Sequence, residues 1–257
     1  MTYQGDTRSD QRPKETEPFT EFASYYDSFM LKCVNYGDWV KYIEKIFKNF
    51  KTKPKTILDL ACGTGIPTIL FAKKGYQMTG IDRSRAMLEI LKGKSQGYNI
   101  AIYEADIRNF SIPEPADAAI CLYDSINYLL TEEDLNKCFR CVRAVVKKNG
   151  LFVFDMNTEY GLSVFWGTRE TVREASDVRS IWHNTYDDKT KISTLNLTCQ
   201  VKGENRSFEE VHQERGYELP YIQQLLQSCG FPEVKFYHHG TFSPPTDLTV
   251  RVMVVAR

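Results

Sequence analysis

With 257 residues the chain is long enough for one sizeable core and at most two domains. Apolar residues make up 42% and charged residues 26%, and 33 basic residues balance 33 acidic ones, which argues against nucleic-acid binding through bulk positive charge. No apolar run is long enough to span a membrane and no signal-peptide pattern follows Met1. The seven cysteines are odd in number and scattered, which reads as a reducing cytoplasm and makes the sequons at Asn109, Asn196 and Asn205 chance matches.

Residues 1–18 are polar and nearly free of aliphatics, so 1–20 are expected to be a mobile tail before a single domain over 21–257. Trp39, Val40, Ile43, Ile46, Phe47 and Phe50 recur at helical spacing, and Lys48, Lys51, Lys53 and Lys55 mark a solvated helix end and linker. Strands and helices then alternate. Strands are predicted over 56–61, 77–82, 99–106, 117–124 and 151–155, with helices between them. Pro67 suits a first helical turn, Ser84 an N-cap, and Thr131 with Asp134 a capping box, while Asn149-Gly150 is read as a helix stop. A late helix over 221–229 leads to strands over 234–238 and 249–256. This alternation predicts an α/β fold with a mainly parallel sheet covered on both faces. One block departs from it. Residues 169–217 hold strand-like runs at 180–186, 191–201 and 208–217, separated by turns and no helix, and are read as an antiparallel β insertion.

The chemistry sits in the turn Asp59-Leu-Ala-Cys-Gly-Thr-Gly65. A dinucleotide turn reads G-x-G-x-x-G and holds a pyrophosphate, but here the third glycine position is Thr68 and Asp59 precedes the turn. A carboxylate there would repel a pyrophosphate. In an open parallel sheet the ligand sits beyond the carboxyl ends of the strands, and those ends offer Asp59, Asp82, Asp106 and Asp124. Four acids favour a ligand rich in amino and hydroxyl donors. Asp82 lies at about the ~20-residue spacing from which an acid accepts both ribose hydroxyls. S-adenosylmethionine meets these demands: it has an adenosine, a sulfonium, an ammonium and no phosphate.

On these motifs the chain resembles the class I S-adenosylmethionine-dependent methyltransferases over roughly 22–257. The resemblance implies a Rossmann-like seven-stranded sheet in the order 3-2-1-4-5-7-6, with strand 7 antiparallel. It implies a cofactor site drawn from Tyr26, Trp39, Asp59, Ala61, Cys62, Gly63, Thr64, Gly65, Asp82, Arg83, Met87, Ala105, Asp106, Ile107, Leu122 and Tyr123. The segments 22–27 (FASYYD), 120–130 (ICLYDSINYLL) and 211–215 (VHQER) are similar to the small-molecule N-methyltransferase branch, which includes glycine N-methyltransferase and amino-sugar N,N-dimethyltransferases. From that branch Tyr26 is expected to align donor and acceptor, with Tyr25 or simple core packing as alternatives. Asp124, Asn127, Tyr128, His212 and Arg215 are expected to bind the acceptor, although capping and packing would also place them. Tyr128 stands where those enzymes often have a histidine.

Other motifs carry less. Cys138 and Cys141 form a CxxC inside a helical pattern with no second pair, so no metal is expected. The Asp/Asn-Pro-Pro-Tyr motif of nucleic-acid amine methyltransferases is missing after the fourth strand, as is a Pro-Cys nucleophile. No dedicated base stands out, which leans toward an amine acceptor, since a neutral amine attacks without prior deprotonation. The expected enzyme is a methyltransferase acting on a small molecule, as a monomer or homodimer, with the insertion as wall or lid of the acceptor pocket or else a dimer interface. An RNA or protein methyltransferase and a non-catalytic cofactor binder remain the alternatives.

Overall fold

The computed structural model describes residues 14–175, 178–204 and 206–257. A short strand β1 (Lys14–Thr16) precedes helices α1 (Ala23–Cys33) and α2 (Tyr36–Asn49). The Asn35 side chain caps α2 by accepting from the Asp38 amide. Strand β2 (Thr56–Leu60) runs into the glycine turn and helix α3 (Ile66–Lys73), with Pro67 in its first turn. Strand β3 (Gln77–Asp82) leads to α4 (Arg85–Lys94), whose N-cap Ser84 accepts from the Met87 amide. Strands β4 (Ile100–Glu104) and β5 (Ala116–Cys121) are followed by α5 (Glu132–Val145), capped by Thr131 accepting from the Asp134 amide. Strand β6 (Val146–Asn157) starts directly at the end of α5. The helix therefore stops before Asn149-Gly150, and those two residues lie inside the strand instead of ending the helix.

Four strands form the insertion: β7 (Arg169–Ala175), β8 (Val178–Asp187), β9 (Ile192–Val201) and β10 (Arg206–Arg215). Helix α6 (Leu219–Ser228) and strands β11 (Val234–His238) and β12 (Arg251–Ala256) close the chain. The main sheet runs β11-β12-β6-β5-β2-β3-β4, with β12 antiparallel to both neighbours, which is the expected order. Its inner strands β2, β5, β6 and β12 are buried on both faces, with residues pointing alternately to the two sides. Phe152, Phe154, Val252 and Val254 meet Leu135, Phe139 and Val142 of α5 on one face. Ile57, Val153, Met253 and Val255 meet Val40, Ile43 and Phe47 of α2 on the other.

The second sheet runs β1-β10-β9-β8-β7, all antiparallel except β1, which pairs parallel with β10. Two of its strands were not singled out by the sequence pattern. Strand β7 alternates charged residues, and β1 is only three residues long. The expected tail over 1–20 is corrected for its last part: Lys14–Thr16 joins the sheet, and the Phe19, Thr20 and Phe22 amides donate to the buried Glu210 carboxylate at 2.8, 3.1 and 2.9 Å. A sequence window cannot register a strand partner almost 200 residues away. Residues 1–13 lie outside the described residues.

Candidate active site

The turn after β2 reverses through three residues in the left-handed region, Ala61, Gly63 and Gly65, at φ of 51°, 54° and 75°. The two glycines do different things. A Cβ on Gly65 would meet Leu91 Cδ1 at 2.2 Å, so Gly65 lets α4 pack against the turn. A Cβ on Gly63 would meet no protein atom within 4 Å and would project into open space. The buried Asp82 carboxylate staples this turn, accepting from the Gly63 amide and the Ser84 amide, both at 2.8 Å. Burial raises its pKa against those two backbone bonds. Asp59 is also buried and accepts from Thr68 Oγ1 at 2.6 Å. Burial pushes its pKa up to about 7. Thr68 thus stands at the third glycine position as the hydrogen-bond partner of Asp59.

Helix α1 lies against the turn, where Asp27 accepts from Thr64 Oγ1 and pairs with Lys94 of α4. This places Tyr26 and Tyr36 at the cavity, and burial raises the pKa of both. At the far end Asp106 is not free. Arg108 Nε donates to its Oδ1 at 2.9 Å and Nη2 to its Oδ2 at 2.6 Å, which lowers the Asp106 pKa, and Arg108 Nη1 reaches Asp134 at 3.2 Å. Arg108 was not singled out by sequence, since an arginine two residues past a strand gives no periodic signal.

A cavity of about 460 Å³ runs between the two sheets, within the range of small-molecule sites. From the expected cofactor set it brings together Tyr26, Asp59, Ala61, Cys62, Gly63, Thr64, Asp82, Arg83, Met87, Asp106, Ile107, Leu122 and Tyr123. Trp39, Gly65 and Ala105 do not line it. Trp39 stacks on the outer side of Tyr123 with centroids 4.4 Å apart, and the Ala105 amide donates to the Asp82 carbonyl as part of the sheet edge. From the expected acceptor set, Asp124, Tyr128 and His212 line the cavity, but Asn127 and Arg215 do not. Asn127 is fully buried, donates to the Asn157 and Arg215 carbonyls and accepts from the Asn157 amide, so it braces the backbone. Arg215 turns away to the Leu130 carbonyl at 3.0 Å and over the Tyr217 ring.

The end of the cavity beside β10 contains groups that sequence reasoning did not assign. Phe19, Phe22 and Trp182 add rings. Tyr128 Oη lies 3.1 Å from His212 Nδ1, and His212 Nε2 is 3.2 Å from Glu210 but out of line for a hydrogen bond. Asp124 and the buried Asp155 share the guanidinium of Arg251, and Asp155 also accepts from the Tyr123 and Asp124 amides. Burial pushes Asp155 up to about 6. Asn157 Nδ2 donates to Asp124 at 2.9 Å and to Glu214 at 2.8 Å. Among the described residues no cluster of three or more histidine, cysteine or carboxylate side chains is placed to hold a metal, and no helix is long and apolar enough to cross a membrane.

A doubly wound sheet with an antiparallel strand next to its edge, and a glycine turn flanked by buried carboxylates, define a nucleoside-binding α/β protein whose ligand carries donors in place of a pyrophosphate. The family model described as a methyltransferase domain matches residues 57–150, from β2 into β6. YqeM of Bacillus subtilis (strain 168), provisionally named a methyltransferase, is 30% identical over 82% of this chain and 85% of its own length. The glycine/sarcosine/dimethylglycine N-methyltransferase of Actinopolyspora halophila is 25% identical over 83% of this chain and 38% of its own length. The crystal structure of an S-adenosylmethionine-dependent methyltransferase from Clostridium acetobutylicum ATCC 824 superposes with a TM-score of 0.82 at 27% identity, covering 92% of this chain and 97% of that one. The chain belongs to the S-adenosylmethionine-dependent methyltransferases.

The residues present fit that methyl donor. The open space at Gly63 admits a ligand against the backbone, Asp82 is placed for hydroxyl donors, and Asp59 suits an ammonium and disfavours a phosphate. The donor supplies an electrophilic methyl group on a sulfonium. The protein's part is to bind, to orient and to exclude water.

Proposed function

We propose that this methyltransferase transfers its methyl group to a small-molecule amine, in the cytoplasm, with Tyr26 aligning the two reactants and the antiparallel insertion as the acceptor-side wall. The observation that carries the reading is the composition of the acceptor end. Aromatic rings of Phe19, Tyr26, Tyr128 and Trp182 and the carboxylate of Asp124 surround one end of the cavity, and both features attract a cationic amine. The similarity to an N-methyltransferase of glycine and its methylated derivatives supports the same class. Asp59, Gly63 and Asp82 hold the donor, and Asp124, Tyr128 and His212 contact the acceptor.

A panel of small primary, secondary and tertiary amines, together with total RNA and a protein extract, incubated with isotopically labelled donor tests this. Label in one or more small amines supports the reading. Label confined to RNA or protein overturns it.

A further inference from the structure

We propose that Glu214, together with Asp124 and the amide of Asn157, forms the seat for the acceptor's ammonium, and that Glu214 removes the proton that would otherwise block methyl transfer. The proposal rests on the amine reading and supplies the base that the sequence did not reveal.

Charge is the first argument. Asp124, Asp155 and Glu214 face a single guanidinium, Arg251. Arg251 pairs with the two aspartates, leaving Glu214 without an ion-pair partner among the described residues. A buried carboxylate lacking a cation is costly, and either a proton or a cationic ligand must compensate it. Glu214 lines the cavity, so a ligand can reach it.

Asn157 is an independent second observation. It is 1% exposed, and its Nδ2 is occupied by Asp124 and Glu214. Its Oδ1 is buried and has no donor among the described residues. Turning the amide over would set Oδ1 against the Asp124 carboxylate and take away the donor that Asp124 now accepts from. A buried acceptor without a donor, on the amide whose Nδ2 bridges two cavity-lining carboxylates, matches an ammonium, which brings several donors and a positive charge.

Proton transfer follows from the same geometry. The groups facing Glu214 are Asp124 after β5, Asp155 and Asn157 on β6, Arg251 on β12, and Tyr128 with its partner His212. Burial, followed by the charge of Asp124, pushes the Glu214 pKa upward, toward the range that suits a base for an ammonium. In the step, one N–H bond of the ammonium breaks and its electron pair stays on nitrogen. The proton goes to a carboxylate oxygen of Glu214, leaving a neutral amine and a neutral carboxyl group. The nitrogen lone pair is then free for the methyl group.

The test needs no turnover. Infrared spectra of the full chain, with carbon-13-labelled glutamate and saturated with S-adenosylhomocysteine, are followed through pH 6–10 in wild type and Glu214→Gln. A glutamic-acid carbonyl band that ionises within that range and is missing from E214Q is expected. Adding n-butylammonium chloride should lower its midpoint by ~1 pH unit or more, a tenfold change in the ionisation constant. Sodium chloride at equal ionic strength should not. A band that is absent, that persists in E214Q, or that n-butylammonium leaves unmoved overturns the proposal. If an amine from the panel is methylated while the band stays unmoved, the amine reading stands and this inference falls.

Discussion

The turn at 59–65 and the inner face of β10 build their halves of one cavity by opposite means. The turn uses seven consecutive residues, backbone conformation and two carboxylates at neighbouring strand ends. The face of β10 uses side chains such as His212 and Glu214 that matter only because residues 19, 128, 157 and 251 are brought against them. A site made from local backbone geometry tolerates few sequences and is therefore recognisable. A site made from side chains on the inner face of a second sheet tolerates many, because no local backbone geometry constrains them.

The comparison breaks most readily at Gly63. Gly63→Val puts a branched side chain into the open space and should weaken S-adenosylhomocysteine binding at least ~100-fold by calorimetry, where each tenfold is about 1.4 kcal/mol. The positive φ adds ~1–2 kcal/mol of strain, so circular dichroism should still show the fold with a lowered Tm. Retained affinity would mean that the ligand does not lie on this turn.

Next in size is a pH effect at Asp59. Its folded pKa of about 7 exceeds its ordinary 3.8, so the free protein gains stability while that carboxyl stays protonated. That contribution is lost as pH rises through the window from about 4 to about 7. An ammonium beside Asp59 requires the ionised form, so S-adenosylhomocysteine affinity should fall by up to tenfold per pH unit below about 7. Asp59→Asn should flatten both profiles. A wild-type binding curve that is flat between pH 5 and 8 would place the ammonium elsewhere.

Tyr26 sits where the two halves meet. If its hydroxyl aligns the reactants, Tyr26→Phe should lower kcat by ~10-fold with less than a ~2-fold change in donor affinity. Unaltered kcat would reduce Tyr26 to a packing residue beside Tyr36. The smallest effects separate residues that the sequence grouped together. Arg215→Ala should lower Tm by a few degrees, by removing the Leu130 contact, and leave the acceptor KM within ~2-fold, while His212→Ala should raise that KM. A KM change in the arginine variant equal to that of the histidine variant would restore Arg215 to the pocket.

How legible each residue was follows from its kind of constraint. Asp59, Gly63 and Asp82 were readable because strand-turn-helix geometry fixes both their spacing and their chemistry. Thr68 was read as a missing glycine, and only its bond to Asp59 shows what it does instead. Asp106 was read as one of four strand-end acids facing the ligand, and Arg108 makes it half of a bidentate pair. Asn127 and Tyr128 are adjacent in a short helical turn (Ser125–Tyr128), where one residue faces the backbone of β6 and the other the cavity. No local pattern decides which. Trp39 was expected in the cofactor site but does not line the cavity and stacks on Tyr123, which does.

The sequence by itself determined the alternation of strands and helices and the glycine turn, while the strand order followed from the family resemblance. Hydrophobic periodicity and left-handed turn residues act over a few positions, so their signal survives in one dimension. Tertiary structure alone decided that Lys14–Thr16 pairs with β10, that Glu210 holds three amides of the N-terminal segment, and that Glu214 has no ion-pair partner among the described residues. Those outcomes depend on which charges and donors meet across the cavity, and electrostatic balance in a low-dielectric interior is a property of the assembled neighbours.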